Sequence, residues 1–149
     1  MNSHPLVVFT LDAQRYALPL AAVERVVRVV AIAPLPKAPE IVLGVVNLRG
    51  QIIPVVNLRR RFRLPECEIR LSDQCLIAHT AKRTVALVVD EVSGVLEPTD
   101  QAVAAAEQIL PDLAYVVGVV KLADGMVLIH DLDSFLSLEE EQVLDEAMK

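Results

Sequence analysis

The residues able to do chemistry are few and scattered. The three histidines, His4, His79 and His130, stand far apart, with no two at metal-ligand spacing. His79 and His130 fall in or beside expected strands, where a surface or hydrogen-bonded imidazole is the ordinary role. Cys67 and Cys75 lack both zinc-site spacing and an activating motif, and Cys67, in a charged stretch, reads as an inert thiol. The five glycines, Gly44, Gly50, Gly94, Gly118 and Gly125, are too dispersed for a phosphate-cradling loop, so neither the dinucleotide fingerprint nor the P-loop pattern is present. Asp90-Glu91 and the pair Asp131 and Asp133 are carboxylate clusters, yet strand ends often carry such residues. The chain reads as a non-enzyme that needs no cofactor and no metal.

Two arginine features are more pointed. Arg59-Arg60-Arg61 with Arg63 places four positive charges within five residues, enough to contact phosphates. Nucleic-acid readers combine such charge with aromatic stacking faces, and aromatics are 3% of this chain, with no Trp. A solvated basic face, or a docking patch for an acidic protein surface, fits better than nucleic acid. Arg49 lies in Asn47-Leu48-Arg49-Gly50, at the tip of an expected hairpin. Its guanidinium is either an ordinary exposed turn residue or, through five fixed donors, the organiser of a contact surface.

The elements that must position these residues are strands. The chain has 149 residues, the size of one domain, and 54% of them are hydrophobic, with 24 Val. β-branched side chains favour a pleated surface. Residues 6–11 and 15–20 read as one hairpin, and 43–48 with 51–58 as another, Pro54 placing the second strand of the latter at an edge or bulge. Pro34, Pro36 and Pro39 form a connector between them. The same grammar then returns. Tyr16-Ala17-Leu18 and Val23, Val26 and Val27 match Val85-Ala86-Leu87 and Val92, Val95 and Leu96 at an offset of 69. Gly44-Val45-Val46-Asn47-Leu48 matches Gly118-Val119-Val120-Lys121-Leu122 at 74, as Asn57, Leu58 and Phe62 match Asp131, Leu132 and Leu136. The reading is an all-β chain of two similar subdomains, 6–64 and 75–136, each closing into a small barrel or sandwich, with a polar linker at 65–74.

Residues 100–110 fit either a helix or an extended connector. Ser137 with Glu140 is a capping-box pattern, predicting a short C-terminal helix over 138–148. No leader-like segment opens the chain, and its apolar runs are broken before membrane-spanning length, which predicts a cytoplasmic protein without membrane insertion. Residues 1–84 hold twelve basic and six acidic residues, a net of +6, whereas 85–149 hold two and fourteen, a net of −12. That split is either a matter of solubility or a docking code for complementary faces.

Leu35-Pro36-Lys37-Ala38-Pro39, then Gly44 to Gly50, then Ile52-Ile53-Pro54-Val55-Val56-Asn57-Leu58-Arg59 resemble the CheW-like family. Val88-Val89-Asp90-Glu91-Val92 with Val95-Leu96 is similar to that family's second-half signature, and the resemblance covers about residues 6–138. It implies two five-stranded, SH3-like β-barrels packed around a shared apolar interface. It also implies an adaptor that couples the cytoplasmic tip of a methyl-accepting chemoreceptor to the regulatory domain of a CheA-type histidine kinase. Adaptor and kinase would meet barrel to barrel, and contacts with further CheW-like domains, itself included, are implied. The receptor's helical tip would dock in a groove between the barrels. Carried over to this chain, the coupling candidates are Asn47, Leu48, Arg49, Gly50, Arg59, Glu24 and Arg25, with Val23, Val26, Val46 and Val89 as groove or core.

Two departures stand out. The family's glutamate partner for the NLRG arginine falls at Arg25 here, which sets two like charges against each other, while Glu24 on the same strand faces the other way. Asn57 stands where an aspartate is usual. Both suit an adaptor of a divergent, non-motility chemosensory system, and the remaining alternative is a barrel module that binds a ligand or polyanion through Arg59 to Arg63.

Overall fold

The computed structural model describes residues 5–29, 31–66, 68–70, 72–98, 103–105, 116–123 and 125–148. Its strands in chain order are β1 (Leu6–Leu11), β2 (Gln14–Pro19), β3 (Val23–Arg28), β4 (Val42–Leu48), β5 (Gln51–Val56), β6 (Gln74–His79), β7 (Thr84–Val89), β8 (Glu91–Leu96), β9 (Val103–Ala105), β10 (Val116–Leu122) and β11 (Gly125–His130). Helix α1 spans Leu58–Arg61 and α2 spans Leu138–Ala147, with 3₁₀ turns at Leu20–Ala22 and Leu132–Ser134. A six-stranded sheet runs β8-β1-β2-β11-β10-β9, and a five-stranded sheet runs β3-β6-β7-β5-β4.

The internal repeat governs every pairing. Thr10↔Arg15 in the first hairpin has its counterpart 69 residues on in His79↔Thr84, and Val27↔Cys75 between β3 and β6 answers to Leu96↔Leu6 between β8 and β1. The parallel pair Val55↔Ala86 answers to Ile129↔Ala17. Even the register shifts recur, at Val42/Gly44 and at Val116/Gly118. The pairings correspond at these offsets, but the expected segments 6–64 and 75–136 are not the units that form the sheets. Each sheet takes its first hairpin from one repeat and its remaining strands from the other, because β3 and β8 cross over. Near the start of β6, buried Asp73 accepts the Arg70 N–H at 2.8 Å. Cys67 lies outside the described residues.

Strands β1 and β6 read as unbroken apolar runs because both faces are buried. Val7, Phe9 and Leu11 of β1, with Leu76 and Ala78 of β6, face a core shared between the sheets. Cys75 and Ile77 point the other way, into the five-stranded barrel with Val46, Ile53 and Val55, while Leu6 and Val8 fill the six-stranded one with Val120 and Val127. Burying each such aliphatic side chain stabilises the fold by about 1.5–3 kcal/mol. Burial also pushes the Cys75 thiol up to about 11, an unreactive group.

Pro54 does not demote β5, which lies between β7 and β4. Its partner Val45 spends its own N–H and C=O on Ala33, at 2.8 Å each, so the Val45↔Pro54 pair needs no ladder donor, and the β7 pairing starts only at Val55. The Ala33–Val45 bridge also joins the chain beyond β3 to β4, closing the sheet. Gly44 permits this approach: a Cβ there would sit 2.3 Å from the Ala33 carbonyl oxygen. In the 100–110 segment, residues 103–105 are extended as β9, and the rest lie outside the described residues. Helix α2 begins at the expected capping box, Ser137 accepting the Glu140 N–H and Glu140 accepting the Ser137 N–H.

Candidate functional site

Asn47 to Gly50 form the tip of the β4–β5 hairpin. Arg49 and Gly50 both take positive φ, 52° and 86°, as a two-residue turn matched to strand twist requires, and the Gly50 N–H closes it on Asn47 Oδ1 at 2.9 Å. The tip is solvent-facing: Asn47 and Arg49 are exposed and Leu48 half-buried. On edge strand β3 side chains alternate, Glu24, Val26 and Arg28 outward, Val23, Arg25 and Val27 partly buried. The Arg25 Nε is shielded from water without a hydrogen-bond partner. Neither Arg25 nor Arg49 has an ion-pair partner among the described residues. Val46 and Val89, 2% and 0% exposed, are interior.

The basic run is engaged within the fold. Arg59, its side chain 12% exposed, reaches Asp12 Oδ1 at 2.6 Å in the β1–β2 turn and Asp90 Oδ1 at 2.7 Å between β7 and β8. Asp90 also accepts from Arg70 at 3.2 Å and from the Asp12 N–H at 3.0 Å. Partial burial works against its ionisation, but the Asp12 amide and the Arg59 and Arg70 guanidinia outweigh it and hold its carboxyl below the ordinary range. Arg60 pairs with Glu40. Arg61 grips both carboxylate oxygens of Glu140 in α2, at 2.6 and 2.7 Å. Against the cost of burial, the Ser137 amide and Arg61 hold Glu140 low as well. Arg83 pairs with Glu141 and Asp145 of the same helix. Arg59, Arg61, Arg70 and Arg83 of the +6 half thus pair with Asp90, Glu140, Glu141 and Asp145 of the −12 half. Asn57 caps α1 through its Oδ1 and donates to Glu66 at 3.3 Å, a bond no aspartate could make.

His130 is buried, 2% exposed, in a ring cluster rather than on the surface: Phe62 stacks on it at 4.3 Å, Tyr16 lies at 5.4 Å and Phe135 meets it edge-on at 5.7 Å. His79 is exposed, and His4 lies outside the described residues. No group of three His, Cys, Asp or Glu side chains that could hold a metal occurs among the described residues, nor any helix long and apolar enough to cross a membrane.

Sequence reading missed part of the apolar surface. It named Val26 on β3 as a candidate but not its repeat equivalent 69 residues on, Val95 on β8, which is 60% exposed. Ile52 and Met126, just past the two hairpin tips, are equivalents 74 apart and equally outward. The offsets were visible in the sequence; what hid these residues is that an exposed valine looks like a core valine until its strand is placed at a sheet edge.

A family model, the CheW-like domain, matches residues 5–140. The chain is similar to the chemotaxis protein CheW of Rhizobium meliloti, 30% identical over 92% of this chain and 90% of that one. It is 29% identical to that of Treponema pallidum, over 93% and 85%. The solved structure of the scaffolding protein TtCheW from Thermoanaerobacter tengcongensis matches with a TM-score of 0.83 and 29% identity, over 93% of this chain and 96% of that one. Fold and surface thus define a two-barrel protein of the SH3-like class, built like a known scaffold. Within that class, the chain belongs to the CheW-like domain family.

Proposed function

We propose that this protein is a cytoplasmic chemosensory adaptor that joins a CheA-type histidine kinase to the tip of a methyl-accepting chemoreceptor, catalysing nothing itself. The observation that carries this reading is the repetition of exposed apolar residues at equivalent places in both halves. Isolated exposed apolar residues need no explanation, but the same positions left apolar twice mark surfaces that are covered in use. Ile52 and Met126, beside the hairpin tips with Asn47, Leu48, Arg49 and Gly50, suit barrel-to-barrel contacts with the kinase regulatory domain or other CheW-like domains. Val26 and Val95, on the strands that cross between barrels, with Val23, Glu24 and Arg25 alongside, suit an apolar helix face from the receptor. The polyanion alternative loses its support, because Arg59, Arg60 and Arg61 are already paired with carboxylates.

Co-purification with a kinase regulatory domain and a receptor cytoplasmic fragment tests the reading. Val26→Glu with Val95→Glu should weaken the receptor fragment about tenfold or more and spare the kinase domain, and Ile52→Glu should do the reverse. Binding to neither partner at low and moderate salt would sink the proposal.

A further inference from the structure

The repeat makes a comparison possible that neither half offers alone. In one half, the space between the tip of the first hairpin and the segment after the last strand is packed with rings. Tyr16 lies 4.8 Å from Phe62, which stacks on His130, and Arg59 closes the mouth by pairing with Asp12. The equivalent residues of the other half are Val85 for Tyr16, Leu136 for Phe62, Val56 for His130, Asp133 for Arg59 and Ala81 for Asp12. All five line a cavity of about 300 Å³. Where one half encloses three aromatic rings, the other has aliphatic side chains and open space.

We propose that this cavity, between the β6–β7 turn and the first turn of α2, is a docking site for an aromatic side chain presented by a partner protein. The flanking strands keep the register found around Tyr16 and His130, while the β6–β7 turn lacks the positive φ of Asp12 and Ala13 and the 3₁₀ turn at Leu132–Ser134 stands in for α1, and the space left admits a side-chain ring. One wall is Phe135, whose ring meets Phe62 and His130 edge-on, at 77° and 64°, and also lines the cavity, offering an incoming ring an aromatic neighbour. The rim carries Leu138, 68% exposed, and the exposed Lys82, whose ammonium suits the negative face of a π-system. Asp133, which replaces the closing arginine, accepts the Ala81 N–H at 2.8 Å, and the lining carboxylate of Glu141 is turned to Arg83. The inference does not depend on the coupling role, and its test needs neither kinase nor receptor.

The probes are N-acetyl-tryptophanamide, N-acetyl-tyrosinamide, N-acetyl-leucinamide and indole, titrated into the ¹⁵N-labelled full chain. The aromatic amides should produce saturable amide shifts at Thr80 to Lys82, Val85 and Leu136 to Leu138, with the leucine amide about tenfold weaker. Leu136→Phe, which installs the other half's ring, should abolish those shifts without lowering the melting temperature. Should that variant fail to fold, Leu138→Glu serves. It sits in the first turn of a helix that accepts acidic residues there, and it should weaken the aromatic amides about fivefold or more with folding intact. Aromatic shifts absent from these residues, or equal for the leucine amide, overturn the proposal. So does binding of indole alone, which would make the cavity a small-molecule site.

Discussion

Arg59 and Asp133 occupy equivalent places in the two halves, and each ties the segment after a hairpin to the tip of another. Arg59 does so with a guanidinium on the Asp12 carboxylate; Asp133 does so with a carboxylate on the Ala81 N–H. The fold needs a tie at this position and is indifferent to its sign. The ionic version does more, because Asp90 and Arg70 join it and bind the β1–β2 turn, α1 and the β7–β8 junction at one point. The ring cluster beside Arg59 and the cavity beside Asp133 show the same divergence in apolar form.

The strongest way to break the comparison is to separate the repeats. Residues 1–73 and 74–149 expressed alone should each lack a cooperative unfolding transition and dispersed amide resonances, and mixing should restore both. A half that folds unaided would mean that the exchanged strands are dispensable. Next, the two ties should differ in weight. Asp90→Ala should cost about 2–3 kcal/mol by urea denaturation, since it removes the carboxylate shared by Arg59, Arg70 and the Asp12 N–H and leaves Arg59 with Asp12 alone of its two carboxylate partners. Asp133→Ala should cost about 1 kcal/mol, one exposed hydrogen bond. Equal costs would show that the charges add nothing.

Acid should reveal the same asymmetry. Asp90 and Glu140 ionise below the ordinary carboxylate range when folded. Such depressed groups contribute stability that is complete above their unfolded values, about 4, and lost as pH falls through the folded ones. The urea midpoint should therefore hold from about pH 5 upward and drop below about pH 4. Asp90→Asn with Glu140→Gln should flatten that drop, and an undiminished acid slope would assign it elsewhere. The smallest effect concerns the two lone arginines. Arg25→Glu should raise stability by at most about 1 kcal/mol through pairing with Arg49. No rise, or a fall, would mean that the two side chains do not meet.

What could be read from the sequence was what is local. The hairpin tips and the capping box at Ser137 depend on residues near one another in the chain, and the repeat offsets compare short local strings of that kind; each has its place in the structure. The strand exchange was illegible because β3 and β8 are valine-rich strands that would pair as well within their own repeat as across it. Arg59 stood out as one charge in a run, but its partners Asp12 and Asp90 lie 47 and 31 residues away. His130 gave no sign of its burial, because Tyr16, Phe62 and Phe135 converge on it from separate segments. Pro54 misled for the same reason, its missing donor being excused by a bridge to Ala33 that only the closed barrel creates.

Strand exchange also sets a timetable for the nascent chain. Strand β2, complete at Pro19, takes its parallel neighbour from β11, which ends at His130. At ribosomal speeds of about 5–20 residues per second, the first hairpin waits roughly 5–20 s for that neighbour to be made. Until then a run such as Leu6-Val7-Val8-Phe9, buried on both faces in the finished molecule, is open to mispairing. An early region with this exposure is a natural client for chaperones that bind unpaired strands during synthesis.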